Sequence, residues 1–179
     1  MKRLALATIL LACAPALASA QDARDYRTGA KAGDHEITLS GTGSNNNDFD
    51  SGSFGISGSY GYYFTPAFEL SLRQSISWSG SDNSDDTWTG STRIAADYHF
   101  NTSGRLRPFV GGNIGYIYGD NVNNTGTIGP ELGLKYFVND TTFVLVQTEY
   151  QWFFDDGNDV GDSFDDGAFQ HTVGLGFVF

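Results

Sequence analysis

From Asp34 to the C-terminus, apolar and polar residues alternate in eight stretches, roughly 34–42, 53–64, 67–78, 87–100, 107–118, 127–138, 142–154 and 168–179. Segments rich in Gly, Asn, Asp and Ser separate them. A period of two marks strands with two unlike faces. One face carries Phe54, Ile56, Tyr60, Tyr62 and Phe64 in the second stretch, and Phe68, Leu70, Leu72, Ile76 and Trp78 in the third. It carries Ile128, Leu132, Leu134, Tyr136 and Val138 in the sixth, and Phe169, Val173, Leu175, Phe177 and Phe179 in the eighth. In this phasing the face holds no Asp, Glu, Lys or Arg. The other parity is small and polar, as in Ser57, Ser59 and Gly61, or Thr172, Gly174 and Gly176. The pattern predicts an all-β fold, an eight-stranded antiparallel up-and-down barrel.

Alternation alone does not say which face points inward, because a soluble barrel with an apolar interior alternates too. The polar face decides. A face bathed in water is usually rich in Lys and Glu, whereas this one is mostly Gly, Ser and Thr, as suits side chains crowding a narrow lumen. The apolar face then meets lipid. The connections agree: "TPA", "NTSGRLR" and "NDT" are tight, and they alternate with the longer "GSNNNDFDSG", "SGSDNSDD", "GDNVNNTG" and "DDGNDVGDSFDDG". Trp78, Trp88 and Trp152 fall beside long connections, and Phe64, Phe100, Tyr136 and Phe179 near the short ones, which predicts two aromatic girdles. Phe143 also lies near a short turn but breaks the phase of its strand. Pro130, on the apolar face, removes a ladder hydrogen bond and predicts a bulge near the outer rim.

The N-terminus has a different pattern. Lys2 and Arg3 precede the apolar run Leu4 to Ala12 and then "APALASA", with small residues where signal peptidase cuts. Residues 1–20 are expected to be a cleaved export signal, 21–32 a periplasmic linker and 33–179 the barrel domain. "LLAC" loosely resembles a lipoprotein cleavage box, but its apolar stretch is short and "ALASA" follows it. Cys13 is the one cysteine and lies in the signal, so the mature chain is expected to have no disulfide, catalytic thiol or cysteine metal site. The formal charge of -11 argues against nucleic acid as a partner. No apolar run reaches the ~20 residues of a membrane-spanning helix.

The chain closes on "HTVGLGFVF", with Val173, Leu175, Phe177 and the terminal Phe179 at every second position. With the export signal and the eight alternating stretches, this resembles the small eight-stranded outer-membrane β-barrel proteins of Gram-negative bacteria, of the OmpX and OmpA transmembrane-domain type. The resemblance covers residues 33–179. It implies insertion into the outer membrane with both termini periplasmic, contact with outer-membrane lipid and lipopolysaccharide, and recognition of the last strand by the barrel-assembly machinery. A monomer is expected.

Turning the polar parity inward puts Glu36, Glu69, Arg73, Arg93, Asp97, Glu131, Lys135 and Glu149 in the lumen. An unpaired ion there costs several kcal/mol, so these groups are expected to form a hydrogen-bonded ion-pair network. Eight strands leave an interior just wide enough for side chains, which favours a plugged lumen over a conduit.

A search for chemistry finds little. The resemblance includes lipid A deacylases that use a His and a Ser two residues on, but His171 is followed by Thr172 and Val173, and His35 by Glu36 and Ile37. His99 lies toward a short turn. The aspartate-rich stretch from Asp155 lacks calcium-loop spacing, with Val160 at the fifth position counted from Asp156. No catalytic residue, cofactor or metal is expected. The long connections hold twelve aspartates and no Lys or Arg, while Arg105 and Arg107 lie in a short turn. The expected function is therefore non-enzymatic: a barrel with a plugged polar lumen and acidic external loops, serving envelope integrity or adhesion. A narrow uptake channel is the first rival and a lipid A-modifying enzyme the second.

Overall fold

The computed structural model describes residues 28–46, 52–81, 84–119, 125–154 and 167–179. The export signal, the start of the linker and most of the acidic connections, including the segment from Asp155 to Asp166, lie outside the described residues. The strands are β1 His35–Asn46, β2 Gly52–Thr65, β3 Phe68–Ser81, β4 Ser84–His99, β5 Leu106–Gly119, β6 Thr125–Phe137, β7 Thr142–Phe154 and β8 Gly167–Val178. Each pairs antiparallel with the next, and β8 pairs with β1, closing an eight-stranded up-and-down barrel without an edge. Phe179 completes the closure by exchanging two 2.9 Å backbone hydrogen bonds with His35.

Several strands outrun the alternating pattern. β3 continues to Ser81 and β4 begins at Ser84, so the stretch expected as the connection "SGSDNSDD" is largely paired strand. Likewise β1 runs to Asn46. A strand ends where its backbone pairing ends; the apolar alternation stops sooner, because it marks only the part whose outer face is apolar.

The three described short connections are stabilised by their own side chains. Thr65 Oγ1 accepts from the amides of Ala67 and Phe68 (3.2 and 3.0 Å). Asn139 Oδ1 accepts from the amides of Thr141 and Thr142 (2.9 and 2.7 Å). Asn101 takes a left-handed backbone conformation, φ 53°, and its amide donates to the Leu106 carbonyl. Asn and Thr do this readily because a short polar side chain can stand in for a turn hydrogen bond. These connections and the strand ends beside the two described termini define one end, the turn end; the other is the loop end.

The two parities face opposite environments. Leu39, Phe54, Ile114 and Leu175 are 61–70% exposed on the outside, and the exposed large apolar side chains form a belt far larger than a soluble monomer shows. Inside, Phe137 and Phe143 are 0% exposed. The phase break at Phe143 therefore has a simple basis: it points into the barrel.

Pro130 produces no bulge. Pairing of β6 with β7 lapses at Gly129 and Pro130 but resumes in the same register, Ile128 opposite Trp152 and Glu131 opposite Glu149. The missing N–H removes a rung without adding a residue. The register shifts fall elsewhere, at Tyr63/Thr65 and Ser79/Ser81.

Candidate functional site: the lumen

Strand parity and register place the charged residues in two tiers. In the tier nearer the turn end, Lys135 Nζ donates to both oxygens of Glu36 (2.8 and 2.7 Å), to Glu69 Oε2 (2.7 Å) and to the Tyr63 hydroxyl (3.0 Å). Tyr63 in turn donates to Glu36 (2.7 Å). In the second tier Arg73 grips Glu131 with two bonds (2.9 and 2.7 Å) and Asp97 with one (2.7 Å). Arg93 pairs with Glu149. Asn113 bridges the pairs, donating to Glu131 and Glu149 (2.7 and 2.8 Å). All eight charged residues read from the pattern as lumenal thus lie in buried ion pairs.

Such pairing offsets a desolvation cost of several kcal/mol per ion only when geometry is good and the remaining polar atoms are satisfied. Glycine makes the geometry attainable: a Cβ at Gly61 would run into the Glu69 carboxylate, and one at Gly111 into that of Asp97. The second tier has three carboxylates for two guanidiniums. Asp97 Oδ1, Arg93 Nε and Asn113 Oδ1 are buried there without a hydrogen-bond partner.

Below the Lys135 tier the polar parity turns aromatic. Tyr63, Phe109, Phe137, Phe143, Leu145, Val178 and Ala30 form one buried cluster at the turn end. Lys135 Nζ sits 5.0 Å from the Phe143 ring centroid and 5.4 Å from that of Tyr63, so the rings also serve the ammonium. The interior is therefore not uniformly small and polar, as the pattern led us to expect. At Tyr62–Tyr63, Phe109–Val110 and Phe143–Val144 both parities are apolar, so binary alternation carries no information there.

Two further residues escaped the sequence reading. His99 is buried in the lumen, its ring between those of Tyr63 and Phe109 at 5.5 and 5.2 Å, with Nε2 3.5 Å from Glu69. Its parity with Asp97 and Arg93 was the available signal. Arg107, expected in a turn, belongs to β5 and is buried. Its guanidinium lies 5.0 Å from the Phe137 ring centroid and donates to the carbonyls of Thr28, Ala30, Thr102 and Gly104. Gly29 N also bonds Asp140 O (3.0 Å), so residues 28–30 of the expected linker are seated across the turn end.

Toward the loop end, beyond the Arg93–Glu149 pair, the lumen opens into a cavity of about 130 Å³ lined by hydroxyl and carboxamide side chains, none of its lining residues charged.

Outside, aromatic residues collect at both ends. Phe54, Trp78 and Trp88 are in register at the loop end, and Trp152 meets Tyr150 at 5.3 Å. At the turn end Phe64 packs with Tyr62 and Phe68, Phe100 with Tyr98, and Phe179 with Phe177, while Tyr136 is exposed on β6. Val173, Leu175 and Phe177 point outward from β8. A belt of this kind, 12–16 residues per strand and apolar between aromatic rims, suits a bilayer.

The sequence matches the family model described as outer membrane protein beta-barrel domain over residues 4–179. The chain belongs to that family. It is a transmembrane outer-membrane β-barrel, and its fold is similar to solved members of that architecture. The outer membrane protein OprG of Pseudomonas aeruginosa superposes with TM-score 0.62 at 12% identity, covering 84% of this chain and 98% of that one. The N-terminal β-barrel domain of Pseudomonas aeruginosa OprF gives 0.55 at 24% identity, covering 80% and 97%. Ail of Yersinia pestis gives 0.54 at 15% identity, covering 83% and 99%. No curated protein matches the sequence. At these identities the superpositions show the architecture of the outer-membrane barrel domain and leave its activity to be argued from the lumen and the outer surface.

Proposed function

We propose that this barrel is closed to bulk solutes and non-enzymatic, and that it serves envelope integrity or contact at the cell surface. The observation that carries the reading is the turn-end half of the lumen, where Lys135 gathers Glu36, Glu69 and Tyr63 above a packed aromatic floor. An eight-stranded interior holds side chains and little else. Planar-bilayer recording of the purified monomer is expected to give no stable large conductance; a steady open channel would replace this reading with the narrow-uptake rival.

The same proposal orients the protein. Residues 1–20 act as the removed export signal, the turn end with its Arg105 and Lys31 faces the periplasm, and the aspartate-rich connections face outward beside lipopolysaccharide. The outward row Val173, Leu175, Phe177 and Phe179 is what the assembly machinery reads. Protease added to whole cells is expected to cut within the long connections and spare the short ones.

The lipid A rival has one observation to weigh, a hydroxyl beside an imidazole on the outer face: Thr148 Oγ1 lies 3.0 Å from His171 Nδ1. The hydroxyl belongs to a threonine on the neighbouring strand and not to a serine two residues on from the histidine, and we read the pair as mutually satisfied polar groups facing lipid. Lipid A isolated after expression is expected to show an unchanged acyl pattern by mass spectrometry.

Ail has been crystallised with the heparin analogue sucrose octasulfate. Twelve aspartates in and beside the long connections here oppose a polyanion of that kind.

A further inference from the structure

We infer that the loop-end cavity of the lumen is a binding site for a neutral sugar or polyol; the inference rests on the proposed closed barrel, because only a floored lumen makes this cavity a cup. Its wall is formed by Ser75, Ser77, Thr89 and Ser91 on β3 and β4 and by Gln151 and Gln170 on β7 and β8. Ile117 and Phe153 supply its apolar facets. The floor follows from register: Arg73 and Arg93 lie two residues inward of Ser75 and Ser91, and Glu149 two residues inward of Gln151.

The lining selects by charge. No lining residue is ionised, and the ions of the floor are already engaged, Arg73 and Arg93 with carboxylates and Glu149 with Arg93 and Asn113. Although Arg93 Nε makes no hydrogen bond, each floor ion already has an opposite charge beside it, so neither a cationic nor an anionic ligand would find an uncompensated counter-charge there. Entry past an acidic, Lys- and Arg-free set of connections disfavours anions again. Ser75 and Ser91 already bond each other (2.7 Å), but a purely apolar ligand would cover the hydroxyls of Ser77 and Thr89 and most of the carboxamide atoms of Gln151 and Gln170 without offering them a hydrogen bond.

The lining also selects by shape. The two carboxamides face each other across β7 and β8 with a long 3.5 Å bond, leaving most of their donors and acceptors for a guest. Each carboxamide presents a donor and an acceptor side by side, as adjacent sugar hydroxyls do, while Phe153 and Ile117 suit the C–H face of a ring. At about 130 Å³ the cavity is close to the roughly 150 Å³ void that accepts benzene, so it takes one ring of a glycan with the rest projecting outward.

The test uses the full mature chain refolded in nanodiscs, with the side-chain amide signals of Gln151 and Gln170 followed by NMR while D-glucose, D-galactose or glycerol is added. A neutral sugar is expected to shift those signals, with a dissociation constant of about 1–10 mM, as befits few contacts. Glucuronate and glucosamine are expected to bind at least about tenfold more weakly. Q151L and S91L, which remove a partner and fill space, are expected to abolish the shifts while keeping the heat-modifiable mobility of the folded barrel. Absence of shifts with all three neutral probes, equal binding by Q151L, or stronger binding of the charged sugars would each overturn the assignment. Bilayer recording on the same preparation separates the two proposals: an open channel would refute the closed barrel, whereas a closed barrel without sugar shifts would refute only the site.

Discussion

The two halves of one lumen follow different rules. At the turn end, side chains from five strands and the segment at Ala30 pack against one another until Tyr63, Phe109, Phe137 and Phe143 are fully or almost fully buried. At the loop end the inward residues are mostly Ser, Thr and Gln, with Ile117 and Phe153 among them, and they leave a cavity. Both halves use the same inward parity of the same strands, so the difference lies in side-chain volume and in where the ions sit between them. A barrel wall fixes its own diameter, and filling it is a choice made residue by residue. The lesson is that closure by hydrogen bonding and closure by packing are separable: every strand is paired along both halves, yet one half is solid and the other hollow.

The comparison breaks most severely at Lys135. Lys135→Met leaves Glu36 and Glu69 buried beside each other without a cation, and is expected to cost about 3–5 kcal/mol. Urea titration of the folded barrel in lipid vesicles, followed by gel mobility without boiling, measures it; a cost below about 1 kcal/mol would mean that the tier is hydrated and the turn end is not solid. Phe143→Ala tests packing without charge. It is expected to destabilise by about 3 kcal/mol in the same titration, because the closed wall cannot collapse onto the void.

A smaller effect separates members of the second tier. Glu131→Gln gives up charge-assisted bonds from Arg73, and is expected to cost about 2–3 kcal/mol. Asp97→Asn removes the third carboxylate from a tier with two guanidiniums, and is expected to stay within about 1 kcal/mol of the parent. Equal losses for the two variants would contradict the geometry of the Arg73 pairs. The smallest effect belongs to the hollow half: Ser77→Ala is expected to change stability by no more than about 0.5 kcal/mol.

Much of this was legible in the residues. Period-two alternation, a charge-free apolar parity and the closing Phe179 are local facts, and a strand exposes its two faces whatever the rest of the chain does. The eight inward charges followed from parity alone. Their partners did not, because Lys135 and Glu36 are 99 residues apart and meet only when β8 pairs with β1 and the wall closes. Parity also fell silent where both faces are apolar, which hid the aromatic floor, and at Arg107, whose place on β5 depends on its pairing with Lys135 on β6.

By itself the sequence determined the eight strands, their two faces, the belt that demands an apolar surrounding and the concentration of ions on the inner face, because each of these depends on residues at positions two apart. Only the tertiary structure decided which ions pair, that Phe143, His99 and Arg107 turn inward, that Pro130 removes a rung without a bulge, and that one half of the lumen is filled while the other is hollow. Those outcomes depend on contacts across the barrel, between strands whose relative depth is set by register around the whole closed wall.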